Sequence, residues 1–185
     1  TATSKLEDTV FCNDRSTKAY DANTIEPSYS SYGDLGYGTN KTLYGAAHRA
    51  SSYSKNPNPS LVCQNNNDKF TVDSKNGNGK LANPVGLITL DEAVLAGFNT
   101  KSSNKYDYDD TTNYLYTHKI YWTFSPDCMY DDGYASNGLV MDFGIVASNR
   151  VNYSTNGVRP VVSLISDTLV NSDGDGTSTN PYVVQ

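Results

Sequence analysis

Apolar positions along the 185-residue chain come in short runs, separated by polar stretches rich in Ser, Asn, Asp, Gly and Tyr. The clearest run is PVGLITLDEAVLAGF, residues 84–98. Thr89 and Glu92 stand at capping-box spacing, so side chain and backbone can satisfy each other's free N–H groups. Leu90, Ala93, Val94 and Ala96 make one apolar face, and Gly97 supplies the left-handed stop. The pattern predicts a two-turn helix over 90–96, fed by a strand-like PVGLI. TLYGAAHRASSY places small and apolar residues at helical spacing and predicts a helix over 42–53, ended by NPNP. SKLEDTV reads as the end of a helix that begins before residue 1. Residues 13–41 read as a long surface loop.

Strand candidates follow a different period. SLVC and KFTV flank a QNNND turn. YLYTHKIYWTFSP, GLVMDFG, IVASNRVNY and GVRPVVSLI have ordinary strand lengths, with KSSNKYDYDDTTN a polar loop before them. NSDGDGTSTNPYVV is a Gly/Asp turn and a last strand. Helices early and antiparallel strands late predict one α+β domain over 1–185, rather than a parallel α/β sheet. NPYVV is expected to pair near DTVFC. Trp122, Phe124 and Met129 are expected to anchor one end of the central segment in the core. Val158, Val161 and Leu164 alternate on the returning strand, and Arg159 is placed to tie loop carbonyls.

Composition narrows the partners. A net charge of −6 with 18% charged residues argues against a nucleic-acid groove or an anionic membrane surface. No apolar stretch is long enough to span a bilayer, and no signal peptide opens the chain. A secretion signal or anchor is expected upstream. Fifteen tyrosines, with abundant Ser, Asn and Gly, give the composition of a binding surface or of a wet extracellular fold.

Three cysteines in no metal-binding spacing read as one disulfide and a spare. Cys12 and Cys63 each adjoin ordered segments, TVFC and SLVC, and are paired here; Cys128 falls in the irregular run YWTFSPDCMYDDGY. His118 as a base for Cys128 lacks an orienting partner and an oxyanion site, and no nucleophile elbow, zinc motif or phosphate loop occurs. No enzyme and no cofactor are expected. Calcium is weighed at SDGDGTS, DYDD and YDD. At the first, an EF-hand needs a bidentate acid where Val184 stands, so a turn with positive φ at Gly174 and Gly176 is preferred.

LEDTVFCNDRS, PVGLITLDEAVLAG, YWTFSP, GVRPVVSL and GDGTSTNPYVV together resemble a family of secreted or surface proteins of gut Firmicutes that includes DUF6273-type domains. Its members resemble the C-type-lectin-like, formylglycine-generating-enzyme-like fold. That fold is also used by variable proteins of diversity-generating retroelements, in which Asn-type codons are randomised to any NNY codon. Between Pro126 and Gly157 only Met129 and Met141 fall outside the NNY set, and Lys, Glu and Gln are absent. The resemblance implies a fixed scaffold with a diversifiable face at about 127–153. The active-site cysteine pair of that fold's enzymes has no match here.

The expected ligand-facing residues are Asp127, Tyr130, Asp131, Asp132, Tyr134, Asp142, Phe143, Ile145, Ser148, Arg150, Asn152 and Tyr153. Cys128 is a weaker member. The leading expectation is an extracellular or cell-surface receptor or adhesin that engages a protein or glycan on another cell or host surface. The alternative is a pilin-like or filament subunit, and an enzyme ranks third.

Overall fold

The computed structural model describes residues 2–100, 113, 115–171, 173–177 and 179–184. The DYDD run and most of the polar loop read at 101–113 lie outside the described residues. The strands in chain order are β1 (Leu6–Glu7), β2 (Phe11–Cys12), β3 (Thr17–Lys18), β4 (Thr42–Tyr44), β5 (Lys69–Phe70), β6 (Tyr121–Met129), β7 (Ala135–Val140), β8 (Val146–Arg150), β9 (Gly157–Val158) and β10 (Ser163–Leu164). The helices are α1 (Gly45–Ala50) and α2 (Leu90–Leu95). The architecture is α+β. Its main sheet runs β3-β4-β6-β7-β8 in antiparallel register, with β9 added parallel to the start of β6. Two further strand pairs, β1-β10 and β2-β5, stand outside it.

Helix α2 begins as its sequence predicts. Thr89 Oγ1 accepts from the Glu92 amide at 3.0 Å, and Glu92 Oε2 accepts from the Thr89 amide at 2.7 Å. Gly97 follows with φ 103°. The sheet admits α2 closely because Gly138 on β7 has no side chain: a Cβ there would fall 2.5 Å from Leu90. Helix α1 is shorter than expected. Thr42–Tyr44 is drawn into β4 by pairing with Met129 and Cys128 of β6, and only the small-residue stretch coils. Long-range pairing overrides local propensity there. Ala46 and Ala50 pack with Leu90, Ala93, Phe98, Tyr121, Val140 and Val146 in one buried cluster. Ala47 packs with Ile25, Tyr29, Leu43 and Cys128 in a second.

Several elements differ from their sequence reading. The start of the chain is a 3-10 turn, Ala2–Lys5, followed by β1, not a helix end. Leu6–Glu7 pairs with Ser163–Leu164, whereas Val184 bridges Val170, so NPYVV folds on its own neighbour and not onto DTVFC. Residues 13–41 contain β3 and a 3-10 turn, Pro27–Tyr29, and put Ile25 and Tyr29 into the core. Residues 60–63 form no strand, but Cys63 is held to Cys12 by a disulfide. In the last turn Gly176 has positive φ; Gly174 does not, and is required instead because a Cβ would meet the Pro181 carbonyl at 2.6 Å.

The main correction concerns β6. Ser-Pro does not end it: the strand continues to Met129 with register shifts on both sides of Pro126. A bulge has no need of the missing proline N–H. The irregularity also breaks the alternation, so Asp127 and Cys128 are both buried. Tyr121, Thr123 and Ser125 form the rest of the inner face, which turns Trp122 and Phe124 to the other side, half-buried. Phe124 packs edge-on against Phe70 at 5.2 Å. Val158 is 67% exposed and Leu164 40%, so the return strand is no core anchor; only Val161 packs on the first cluster. Arg159 does hold a loop carbonyl, donating to Leu115 O at 2.9 Å.

Candidate functional site

Strands β6, β7 and β8 form a meander, and its geometry sorts the expected ligand-facing residues. Successive turns of a meander fall at opposite ends of the sheet. Residues 130–134 connect β6 to β7 at one end; residues 141–145 connect β7 to β8 at the other, about 17 Å away by the rise of a six-residue strand. Ser136 lies opposite Arg150, so the end of β8 returns to the 130–134 turn. Tyr130, Asp131, Asp132, Tyr134, Arg150, Asn152 and Tyr153 therefore share one end. Asp142, Phe143 and Ile145 belong to the other, where Ile145 is half-buried and bridges Asn99.

The first end is built around Arg150. Its guanidinium donates to Asp132 at 2.7 Å and lies 4.7 Å from the Tyr134 ring centroid and 5.2 Å from that of Tyr130. Gly133, at φ 84°, closes the turn between the two tyrosines. The Arg150–Asp132 pair is well exposed, so its contribution to stability is at most about 1 kcal/mol. Its effect is to hold a cation and an acceptor in a fixed place between aromatic faces. Beside it, Tyr134, Arg150, Asn152, Tyr153, Ser154 and Thr155 line an open recess of about 430 Å³. Burial pushes the Tyr130 phenol up to about 12, so it remains a neutral donor and acceptor.

Asp127 and Ser148 are not part of this surface. Asp127 is fully buried, and neither carboxylate oxygen has a hydrogen bond of ordinary geometry. The Ser148 hydroxyl is likewise buried, beside Asp127 and without a hydrogen bond of ordinary geometry. Burial pushes Asp127 up to about 6; the surrounding Ser148, Cys128 and Ser51 side chains act in the opposite sense without overcoming it. Cys128 is a core residue on the same strand. Burial, and then the neighbouring Asp127, raise its thiol far above the ordinary range, which is the reverse of what a nucleophile needs. His118 lies in the turn ahead of β6, against the Tyr116 ring.

Sequence reasoning missed the neighbours that the fold brings in from residues 32–41. The Asn40 amide donates to the Asp131 carbonyl at 3.2 Å, and the Tyr32 hydroxyl meets the Asp131 backbone. Ser154 and Thr155 were missed as well. The shared Tyr/Ser/Asn/Gly composition of 13–41 and 130–155 was the available signal.

A second polar cluster is structural. Arg49 of α1 makes two hydrogen bonds to Asp91 of α2, at 2.8 and 3.0 Å, and an ion pair with Asp14 at 2.8 Å. Asp91 also accepts from the Ser60 amide. This ties both helices to the strand that carries Cys12. Among the described residues no group of acidic, His or Cys side chains is arranged to hold a metal ion, and no helix is long and apolar enough to cross a membrane. Comparisons of the chain with family models, curated proteins and solved structures find no match.

Proposed function

We propose that the protein is an extracellular ligand-binding module, receptor- or adhesin-like, whose ligand is taken by the Tyr130–Arg150–Tyr134 end of the sheet. The observation that carries this reading is the stacking of Arg150 between two partly open tyrosines beside a recess. Tyrosine and arginine bring contact area and directional bonds at modest entropic cost, which is why they dominate binding hot spots. The scaffold beneath is the paired β6-β7-β8 sheet, so little ordering cost falls on binding.

The C-type-lectin-like fold and the retroelement-diversified family remain part of this proposal. Diversification fits only the solvent-facing positions of 127–153, since Asp127, Cys128, Ser136, Leu139, Val140 and Val146 are buried. Catalysis is not proposed. A filament subunit is the second reading, favoured by one observation: Val158, Val162, Leu164, Leu169, Val170 and Val183 are all 40% or more exposed. Exposed apolar side chains concentrated in residues 158–183 suit contact with further polypeptide.

The test is a screen of the protein on arrays of cell-surface proteins and of glycans, alongside the Tyr134→Ala/Arg150→Ala variant. A ligand bound by the wild type and lost by the variant, with thermal stability unchanged, is expected. A ligand that the variant binds equally well would overturn the assignment.

A further inference from the structure

We infer that the recess beside Arg150 binds a neutral saccharide directly, without a bridging cation. This rests on the binding-face reading above and specifies its ligand.

Size and shape come first. A protein partner needs a surface of about 800 Å² on each side, whereas small ligands occupy concavities of about 300–1,000 Å³. The recess, at about 430 Å³, is of a size that small ligands occupy. Its chemistry then selects among small ligands. Most pockets of this size are lined by apolar side chains with a few polar groups. Here Asn152, Ser154, Thr155 and Arg150 supply side-chain donors or acceptors, and the apolar area comes from the two tyrosine rings. Tyr134 is 43% exposed and Tyr153 51%; Arg150 lies over one face of the Tyr134 ring, so the rest of that ring and Tyr153 offer the aromatic surface to a ligand.

A pyranose has matching parts. Each hydroxyl donates and accepts, so adjacent hydroxyls suit a surface that offers N–H groups next to carboxylate and amide oxygens. The C–H edges of the ring carry partial positive charge and settle on the negative face of an aromatic ring. Arg150 and Asp132 together provide donors and acceptors. An anionic ligand would meet the Asp131 and Asp132 carboxylates beside Arg150 and approach a protein of net charge −6, repulsions that a neutral one escapes. Among the described residues no group of acidic, His or Cys side chains is arranged to hold a metal ion, so recognition through a shared calcium ion has no ligand set here.

The experiment is an amide NMR titration of the full chain with maltotriose, cellotriose, lactose and a glucuronate disaccharide, with and without chelator. At least one neutral sugar should shift residues 130–134 and 150–155. Its affinity should be the same with chelator and at about 0.05 or about 0.5 M salt, because no ion is bound or released. Tyr134→Ala should weaken it about tenfold, the loss expected for one aromatic contact. Because Tyr134 is on the surface, its spectrum will show whether the variant is folded. Binding of the glucuronate sugar alone, weakened by salt, would overturn the inference in favour of an anion site. No shifts with any sugar, while a surface protein is lost on Tyr134→Ala/Arg150→Ala, would overturn the inference and leave the binding face intact. Shifts confined to residues far from this end would overturn both.

Discussion

Replacing Asp127 by Asn should make the protein more stable at neutral pH, and the gain should vanish in acid. The carboxyl is fully buried, neither oxygen has a hydrogen bond of ordinary geometry, and burial outweighs the nearby Ser148, Cys128 and Ser51 side chains to raise it from 3.8 to about 6. A carboxyl whose folded-state pKa is raised binds its proton more tightly in the native state. The stability it contributes is therefore complete below about pH 3.8, falls as pH rises, and is gone above about pH 6. A shift of roughly two units corresponds to about 3 kcal/mol between those limits. Asn cannot ionise, so the variant avoids that loss while keeping the shape. Leaving an amide N–H unpaired would cost about 1 kcal/mol at every pH, so a net gain near 2 kcal/mol is expected at pH 7.

Urea denaturation of both proteins from about pH 3.5 to pH 8 measures it, using the difference between them at each pH. His48, whose pKa burial lowers first of all, works in the opposite sense: its contribution is lost as pH falls through and below about 6.5. Being present in both proteins, it cancels in the difference. A difference that does not change with pH, or a variant less stable at pH 7 than in acid relative to wild type, would refute the reasoning. Asp127 would then be ionised and held by a partner.

Arg49→Ala should cost about 3–5 kcal/mol in chemical denaturation, because Asp91, 5% exposed, would keep a buried charge without its partner; a cost below about 1 kcal/mol would mean that solvent already screens the pair. Cys12→Ser/Cys63→Ser releases a link between residues 51 apart in sequence and should lower stability by about 4 kcal/mol on the chain-entropy argument; non-reducing peptide mapping that finds Cys128 in a bridge would contradict the pairing. Gly138→Ala should destabilise by about 1–3 kcal/mol, since the added methyl would fall against Leu90; a neutral effect would show that α2 can move away from β7 freely.

How much of this was legible in the sequence depended on range. The start of α2 was legible because a capping box and a helix stop are written within nine residues, Thr89 to Gly97. Beta strands 6, 7 and 8 were each visible as apolar runs. What Pro126 does was not. A proline in a strand pattern reads as a terminator, and only the pairing with β7 shows that it occupies a bulge and turns Asp127 and Cys128 inward. Tyr29 was hidden for a similar reason: in a Ser/Tyr/Gly-rich stretch nothing local separates a surface tyrosine from one packed under the sheet. At the binding face, residues 130–134 and 150–153 were picked out one by one. Their meeting, and the separation of 142–145, follow from the meander. Strand pairing decides that, and composition carries no trace of it.

Residues 130–134 and 150–153 meet at one end of the sheet, with the turn at 142–145 apart from them. A binding selection on single-site libraries covering residues 127–153, sorted on an array-identified ligand and separately on folded expression, tests this most directly. Binding should be lost at Tyr130, Asp132, Tyr134, Arg150, Asn152 and Tyr153 with expression kept, each of the strongest positions costing about 2 kcal/mol or more. Expression should be lost at Cys128, Leu139 and Val140, and neither lost at Asp142. Binding lost at Asp142, Phe143 and Ile145 while Tyr134 and Arg150 tolerate every substitution would contradict this arrangement.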